Sequence, residues 1–214
     1  MDRKKSDTGH VYMNGNCREV PGVTTIIQML NKPELVGWAN NLGFMGIRVY
    51  SYLDERAAIG TDFHQMVEDY MNGKPVGGEH YKEAIEMFKR FQIWARCHYY
   101  KVFKTELSLV GKDFGGTIDA LGEVDGVFTV VDYKTSKKVY NSQFIQLAGY
   151  AVLLQELMPE TYEKLEAFGI VTMRKELAHK FISKADIEKK FIPVFLSALR
   201  LYQSYYEMEN NTYL

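Results

Sequence analysis

A short β-hairpin near the middle of the chain is the feature that most constrains its fold. Asp125-Gly126 is a dipeptide typical of two-residue hairpin turns, and apolar residues dominate the segments on both sides. The register that such a turn sets brings Asp119 directly opposite Asp132. Two carboxylates in this position destabilise a sheet, so we expect a cation between them.

A divalent metal is the cation that these carboxylates suit best. Mg²⁺ takes about six oxygen ligands, often one or two carboxylates with water and phosphate, and Asp119 with Asp132 match that set. Lys134 lies two residues beyond Asp132 and projects from the same face. Its ammonium would orient or deprotonate an attacking water, or neutralise charge on phosphorus. The alternative is a solvated salt-bridge cluster, but the apolar run around Val130 indicates a strand buried on both faces, where unpaired carboxylates are costly.

The order of these residues resembles a known family. Asp119, followed on the adjacent strand by Asp132-Tyr133-Lys134, is similar to the signature of the PD-(D/E)XK nuclease superfamily. The resemblance implies an α/β fold of the restriction-endonuclease type, in which helices flank a mixed core sheet. It also implies metal-dependent phosphodiester hydrolysis, with Asp119, Asp132 and the backbone carbonyl of Tyr133 as metal ligands and Lys134 as a catalytic residue.

Residues 60–68, with the sequence GTDFHQMVE, narrow the resemblance to the RecB-like branch of exonucleases, which includes phage-type enzymes. They match its G-T-x-x-H-x-x-x-E helix. His64 and Glu68 are four residues apart and therefore share one helical face. The resemblance implies that His64 is a metal ligand and that Glu68 lies nearby.

Residues 143–150, with the sequence QFIQLAGY, are similar to the Q-x-x-x-Y helix of the same branch. Gln146 and Tyr150 again share a helical face. The resemblance implies that both belong to the catalytic site and position the DNA strand or the catalytic shell. Glu106 occupies the strand before the hairpin, where many superfamily members carry another acidic residue, and it lies either at the site or in solvent.

Composition limits the remaining possibilities. The 214 residues, 46% hydrophobic and 25% charged, suit one globular domain. We expect a single nuclease domain with a mainly helical N-terminal part and a small hairpin (1–100), a catalytic sheet and helix (101–183) and a C-terminal helix (184–214). The sequence contains neither an apolar run of about 20 residues nor a secretory signal, so we expect a cytoplasmic protein of a bacterial or phage-infected cell. Two cysteines are too few for a four-cysteine iron–sulfur cluster.

Of the features considered, the net charge of the chain gives the weakest support for nucleic-acid binding. The 26 Lys and Arg residues against 27 Asp and Glu residues give a formal charge of −1, whereas duplex-binding proteins usually present a basic surface. We therefore expect local basic clusters, one at Lys134, Lys137 and Lys138 and another at Lys101 and Lys104.

Periodicity and turn signals predict the order of elements. A hairpin around Asn14-Gly15 opens the chain, and a helix ends at Asn72-Gly73. The predicted strands are residues 10–13, 17–20, 102–110, 117–122, 127–134, 165–173 and 177–183, and the predicted helices are 47–71, 80–100, 142–157 and 186–209.

The predicted function is therefore a DNA exonuclease that uses one or two Mg²⁺ or Mn²⁺ ions in phage or bacterial recombination, repair or replication. Its expected partners are linear duplex or single-stranded DNA, and a single-strand annealing or recombination protein is a further candidate. Two alternatives remain open: a structure-specific endonuclease or resolvase, and a non-catalytic DNA-binding subunit of a recombination complex.

Overall fold

A five-stranded mixed sheet with helices on both faces forms the centre of the protein. The computed structural model describes residues 4–6, 9–30 and 33–211. The strands are β1 Lys4–Ser6, β2 Gly9–Met13, β3 Glu19–Pro21, β4 Lys101–Val110, β5 Gly115–Val124, β6 Val127–Lys134, β7 Ala167–Thr172 and β8 Ala178–Ser183. The helices are α1 Val23–Ile27, α2 Glu34–Phe44, α3 Val49–Met71, α4 Lys82–Cys97, α5 Asn141–Leu157, α6 Pro159–Lys164, α7 Lys184–Asp186, a π-helical turn Ile187–Phe191 and α8 Ile192–Asn211.

The large sheet has the strand order β4-β5-β6-β7-β8, and β1-β2-β3 form a separate small sheet. Strands β4, β5 and β6 are antiparallel neighbours, whereas β6 and β7 are parallel. Parallel neighbours need a crossover connection, which α5 supplies. The fold class predicted from the sequence, a mixed α/β sheet flanked by helices, is confirmed.

The central hairpin has the register predicted from its turn. Asp125 and Gly126 both have positive φ angles, 51° and 84°, as a type I′ turn requires. The ladder between β5 and β6 runs from the Val124–Val127 pair to the Ala120–Val131 pair. It ends one position before Asp119 and Asp132, so the two carboxylates are not a ladder pair.

Apolar side chains pack on both faces of the large sheet. One core joins the sheet to α1, α5 and α8, and it contains Ile118, Phe144 and Phe195. The other joins the sheet to α3 and α4, and it contains Phe63 and Phe91. Strand β6 lies between the two cores, with Val130 and Val131 both fully buried. Any charged group on this strand is therefore removed from water.

The predicted Asn14-Gly15 turn is wrong in its details. Residues 14–18 join β2 to β3, because Met13 pairs with Glu19 and Cys17 takes up a left-handed conformation with φ 57°. The side chain of Asn14 accepts hydrogen bonds from the backbone N–H groups of Asn16 and Arg18, both at 3.0 Å. This Asx-type turn makes the connection longer than residues 14–16, which the sequence predicts.

The sequence analysis did not predict helices α1, α2 and α6. Helix α1 has five residues and α6 has six, lengths at which helical periodicity gives almost no signal. Helix α2 is longer, but its apolar residues Leu35, Val36 and Phe44 are exposed, so their spacing does not follow a core-facing stripe. No helix among the described residues is both long and apolar enough to cross a membrane.

We expect Gly122→Ala to destabilise the fold. The register of β4 against β5 shifts at this point, and a Cβ on Gly122 would lie only 2.2 Å from the backbone carbonyl oxygen of Lys101. The strands must separate to admit it, at a cost of about 1–3 kcal/mol in the free energy of unfolding. Urea titration measures this loss, and Gly15→Ala is the control because no atom lies within 4 Å of its added Cβ. Equal stability of the two variants would contradict the prediction.

Candidate active site

Elements from both sides of the large sheet meet at one cleft of about 740 Å³. Helix α3, strands β4 and β5 and helix α5 all contribute to its walls. Six residues singled out from the sequence line it: His64, Glu68, Glu106, Asp119, Gln146 and Tyr150. Residues that are up to 86 positions apart in the chain therefore surround one space large enough for a nucleotide.

Three potential metal ligands converge in the cleft. His64, Glu106 and Asp119 each offer one donor atom, and these atoms all lie within 4.8 Å of one another. The Nδ1 atom of His64 is 3.6 Å from Oδ1 of Asp119. This distance is too long for a hydrogen bond, but both atoms can approach a common cation.

Local backbone irregularity brings Glu106 to the site. Its φ angle is 46°, which is unusual for a residue with a side chain inside a strand. The neighbouring residues Thr105 and Leu107 pair with Ala120 and Ile118, so Glu106 lies beside Asp119 across the β4–β5 ladder. Backbone strain of this kind concentrates at functional sites. Of the two positions left open for Glu106, the structure shows the one at the site.

Asp132 is buried and is paired with Lys134. It is 1% exposed, and its Oδ2 atom lies 2.7 Å from Nζ of Lys134. The group of converging donors consists of His64, Glu106 and Asp119, whereas the Asp132 carboxylate pairs with the lysine on the neighbouring strand β6. Burial, and then the charge of Asp119, raise the pKa of Asp132 to about 6 against the opposing charge of Lys134.

The arrangement fits a divalent cation. Apart from the Lys134 ammonium, the described residues offer neither Asp132 oxygen a hydrogen bond, although both oxygens are buried. The single ammonium leaves most of the acceptor capacity of this buried carboxylate unused, and a divalent cation would use it. Carboxylate oxygens suit Mg²⁺ and Mn²⁺, and the imidazole of His64 completes a mixed oxygen and nitrogen ligand set.

Lys134 is an ammonium in this environment. Burial favours the neutral amine, but the charges of Asp132 and Asp119 outweigh it and hold the pKa of Lys134 above its usual value. The side chain is therefore a cation and hydrogen-bond donor rather than a base. Of the three chemical roles considered from the sequence, orientation of the water and charge stabilisation fit this protonation state better than proton abstraction.

His64 is held in the neutral form that a metal ligand needs. Burial, and then the nearby charge of Lys134, lower its pKa. The backbone of Tyr133 hydrogen-bonds to the imidazole, and the Tyr133 ring lies edge-on at a centroid distance of 6.1 Å. The Tyr133 N–H in turn donates to Oδ2 of Asp119 at 2.8 Å. Tyr133 therefore contacts both predicted ligands through its main chain.

Gln146 and Tyr150 share a face of α5, as predicted. Nε2 of Gln146 donates to the hydroxyl of Tyr150 at 2.7 Å, and both residues are buried where they line the cleft. The Tyr150 ring packs directly on the backbone of β5, since a Cβ on Gly116 would be 2.8 Å from Cε1 of the ring. The glycine thus permits the close approach that sets the ring beside the site.

Two further cleft residues were missed by the sequence analysis. The hydroxyl of Tyr12 lies 3.2 Å from Oγ1 of Thr117, which ties the small sheet to β5 at the edge of the cleft. Arg56 lines the cleft from α3. Its position eight residues before His64 continues the spacing of four that relates His64 to Glu68, and this signal was available in the sequence.

The predicted basic clusters are distributed differently from expectation. Lys101 faces Glu123, with Nζ 3.7 Å from the carboxylate, at the end of β5 away from Asp119. Lys138 lies over the ring of Tyr140 at 5.3 Å. Neither lysine lines the cleft.

Comparison with known proteins adds an independent finding. Among solved structures, the chain is similar to a putative exonuclease from Eubacterium rectale (17% identity over 74% of this chain and 68% of that chain, TM-score 0.46). It is also similar to an alkaline exonuclease from Laribacter hongkongensis (9%, 91% and 95%, TM-score 0.40) and to SSO0001 (15%, 86% and 76%, TM-score 0.41). No curated protein matches it. The family model of the PD-(D/E)XK nuclease superfamily matches residues 78–201, more than half of the 214 residues, and the chain therefore belongs to that superfamily.

Proposed function

We propose that this protein is a metal-dependent DNA exonuclease of the RecB-like kind, which hydrolyses phosphodiester bonds with Mg²⁺ or Mn²⁺. The observation that carries the proposal is the convergence of His64, Glu106 and Asp119 in the cleft, directly beside the buried Asp132–Lys134 pair. Membership of a nuclease superfamily supports the same reaction class.

The proposed ion site uses the donors described above. His64, Glu106 and Asp119 would hold the ion, and Asp132 with the Tyr133 carbonyl would complete the protein ligands. Glu68 lines the cleft but is outside the group of converging donors. When bound, one or two divalent ions would supply Lewis-acid stabilisation of the charge that develops on the phosphate.

The remaining side chains would orient the reactants. Lys134 would direct the attacking water by a hydrogen bond and stabilise negative charge in the transition state, consistent with its ammonium form. The hydrogen-bonded pair Gln146 and Tyr150 would fix the position of the DNA strand at the wall of the cleft. By analogy with the superfamily, the product would keep a 5′ phosphate.

The wider setting of the activity is part of the same proposal. We place residues 1–214 in one nuclease domain that acts in the cytoplasm of a bacterial or phage-infected cell. Linear duplex or single-stranded DNA would be its substrate, and a single-strand annealing or recombination protein would be a partner in recombination, repair or replication.

Incubation with three forms of DNA tests whether the enzyme acts from ends. End-labelled linear duplex, single strand and closed circular duplex are incubated with the protein in Mg²⁺ or Mn²⁺. We expect the linear substrates to lose nucleotides progressively while the circle stays intact. Cutting of the circle would instead support a structure-specific endonuclease, and binding to all three without any cutting would support a non-catalytic subunit.

A further inference from the structure

Arg56 is the one lysine or arginine among the described residues that line the cleft. It lies on α3 eight residues before His64, which corresponds to about 12 Å along the helix axis. The converging donors at the other end of the cleft are two carboxylates and an imidazole. The cleft is therefore positive at the Arg56 end and negative at the proposed ion site.

The guanidinium of Arg56 is held by a network of three other residues. Nη1 of Arg56 donates to Oε2 of Glu83 at 2.6 Å, and Nε of Arg174 donates to Oε1 of the same carboxylate at 3.1 Å. Nη2 of Arg174 also donates to the hydroxyl of Tyr52 at 3.2 Å, and the Arg56 guanidinium lies 5.6 Å from the Tyr52 ring centroid. Helices α3 and α4 and the β7–β8 connection thus fix its orientation.

Two arginines in this network share one carboxylate. Glu83 is paired with both Arg56 and Arg174. Glu55 is the other acidic neighbour, but it is 58% exposed and its carboxylate is 3.6 Å from Nη2 of Arg56. The two guanidinium groups therefore share the partly buried Glu83, and the second anion, Glu55, is in solvent where the attraction is screened.

The hydrogen-bonding capacity of Arg56 is also not used up. Its Nε is buried and has no hydrogen-bond partner among the described residues, and its Nη2 is 3.6 Å from the exposed Glu55 carboxylate, which is beyond hydrogen-bond distance. Arg174 supplies Glu83 with a second cation from the β7–β8 connection. A guanidinium that lines the cleft, is pre-oriented and shares its carboxylate with a second arginine is suited to bind a phosphate.

We propose that Arg56 binds a backbone phosphate of the DNA strand two to four nucleotides away from the scissile phosphate. The separation follows from the distance of about 12 Å between Arg56 and His64 along α3 and a rise of about 3.4 Å per nucleotide in duplex DNA. Arg174, Glu83 and Tyr52 act as positioning residues for this contact. The inference rests on the proposed function, because it requires DNA in the cleft.

Single methylphosphonate linkages test the contact, because each removes the charge of one phosphate. They are placed one position at a time along an oligonucleotide, and affinity is measured for a Lys134→Ala protein in Mn²⁺. We expect one position, two to four nucleotides from the cleavage point, to weaken binding about tenfold. Adding Arg56→Ala should weaken binding to unmodified DNA by a similar factor. In this double variant, the methylphosphonate at the sensitive position should cause no further loss of affinity, whereas the effects at all other positions should be unchanged. The Arg56→Ala change should also reduce the slope of log Kd against log salt by about 0.7–0.9.

Two further variants separate this role from a structural one. Arg96→Ala removes the same charge from an exposed residue of α4 outside the cleft, and we expect it to leave the methylphosphonate profile unchanged. With Arg56→Lys, the methylphosphonate at the sensitive position should again weaken binding, but by less than it does when residue 56 is arginine. Thermal melting checks that each variant is folded. An identical profile with and without Arg56 would overturn the inference while leaving the nuclease proposal in place. A protein that neither binds nor cuts DNA would overturn both.

Discussion

Lys134→Ala is expected to abolish most cleavage while leaving metal binding intact. The partly buried ammonium of Lys134 lies 2.7 Å from Oδ2 of the fully buried Asp132. Removal of one electrostatic group from an active site typically lowers the rate by about 10²–10³-fold. Binding of Mn²⁺ should be retained or tightened, because the lysine no longer competes for the Asp132 carboxylate.

Cleavage of end-labelled linear duplex measures the first effect and calorimetry with Mn²⁺ measures the second. Lys89→Ala is the matched control, since Lys89 is an exposed lysine on α4 that contacts Glu86. Lys134→Gln keeps a hydrogen-bond donor for the Asp132 carboxylate. It provides a second variant if the alanine variant does not fold because the charge of Asp132 has lost its partner. Full cleavage by either Lys134 variant would contradict the proposed role.

Asp119→Asn is expected to lose both cleavage and metal binding. Asp119 contributes to the group of converging donors, so an amide in its place removes the charge that attracts the ion. Loss of a group that only supports a ligand weakens metal binding by about 10–100-fold, and a direct ligand should cost at least as much. The amide oxygen of asparagine can still accept the hydrogen bond from Tyr133 N–H, so the local fold should be preserved.

Mn²⁺ titration followed by calorimetry and by thermal melting checks this result. The wild-type protein should melt at a higher temperature in Mn²⁺, because an ion that binds only the folded state stabilises it by about 2.7 kcal/mol at 100 times its Kd. Asp113→Asn makes the same chemical change at an exposed position before β5, and we expect it to behave like the wild type. Undiminished Mn²⁺ heat from Asp119→Asn would show that the ion binds elsewhere.

Local charge would reconcile the net charge of −1 with the proposed DNA substrate. The sequence placed basicity in lysine clusters near β4 and β6, but Lys101 and Lys138 do not line the cleft. The structure instead brings Arg56 and Arg174 together from α3 and the β7–β8 connection around Glu83. Their positions are 118 residues apart in the chain, so no sequence window contains the pair.

Features that depend on local geometry were determined by the sequence alone. The Asp125-Gly126 turn requires positive φ at both positions, and this requirement set the β5–β6 register. The helical period placed His64 with Glu68 and Gln146 with Tyr150, because side chains four residues apart lie on one face.

The composition of the donor group was decided only by the tertiary structure. Glu106 joins His64 and Asp119 because the β4 backbone turns to a φ of 46° where α3 packs beside the sheet. Asp132 is not a ladder partner of Asp119, because the β5–β6 ladder ends at the preceding residue pair, and its carboxylate lies 2.7 Å from the Lys134 ammonium. Turn geometry and periodicity act within a few residues, whereas convergence of α3, β4 and β5 depends on how separate elements pack.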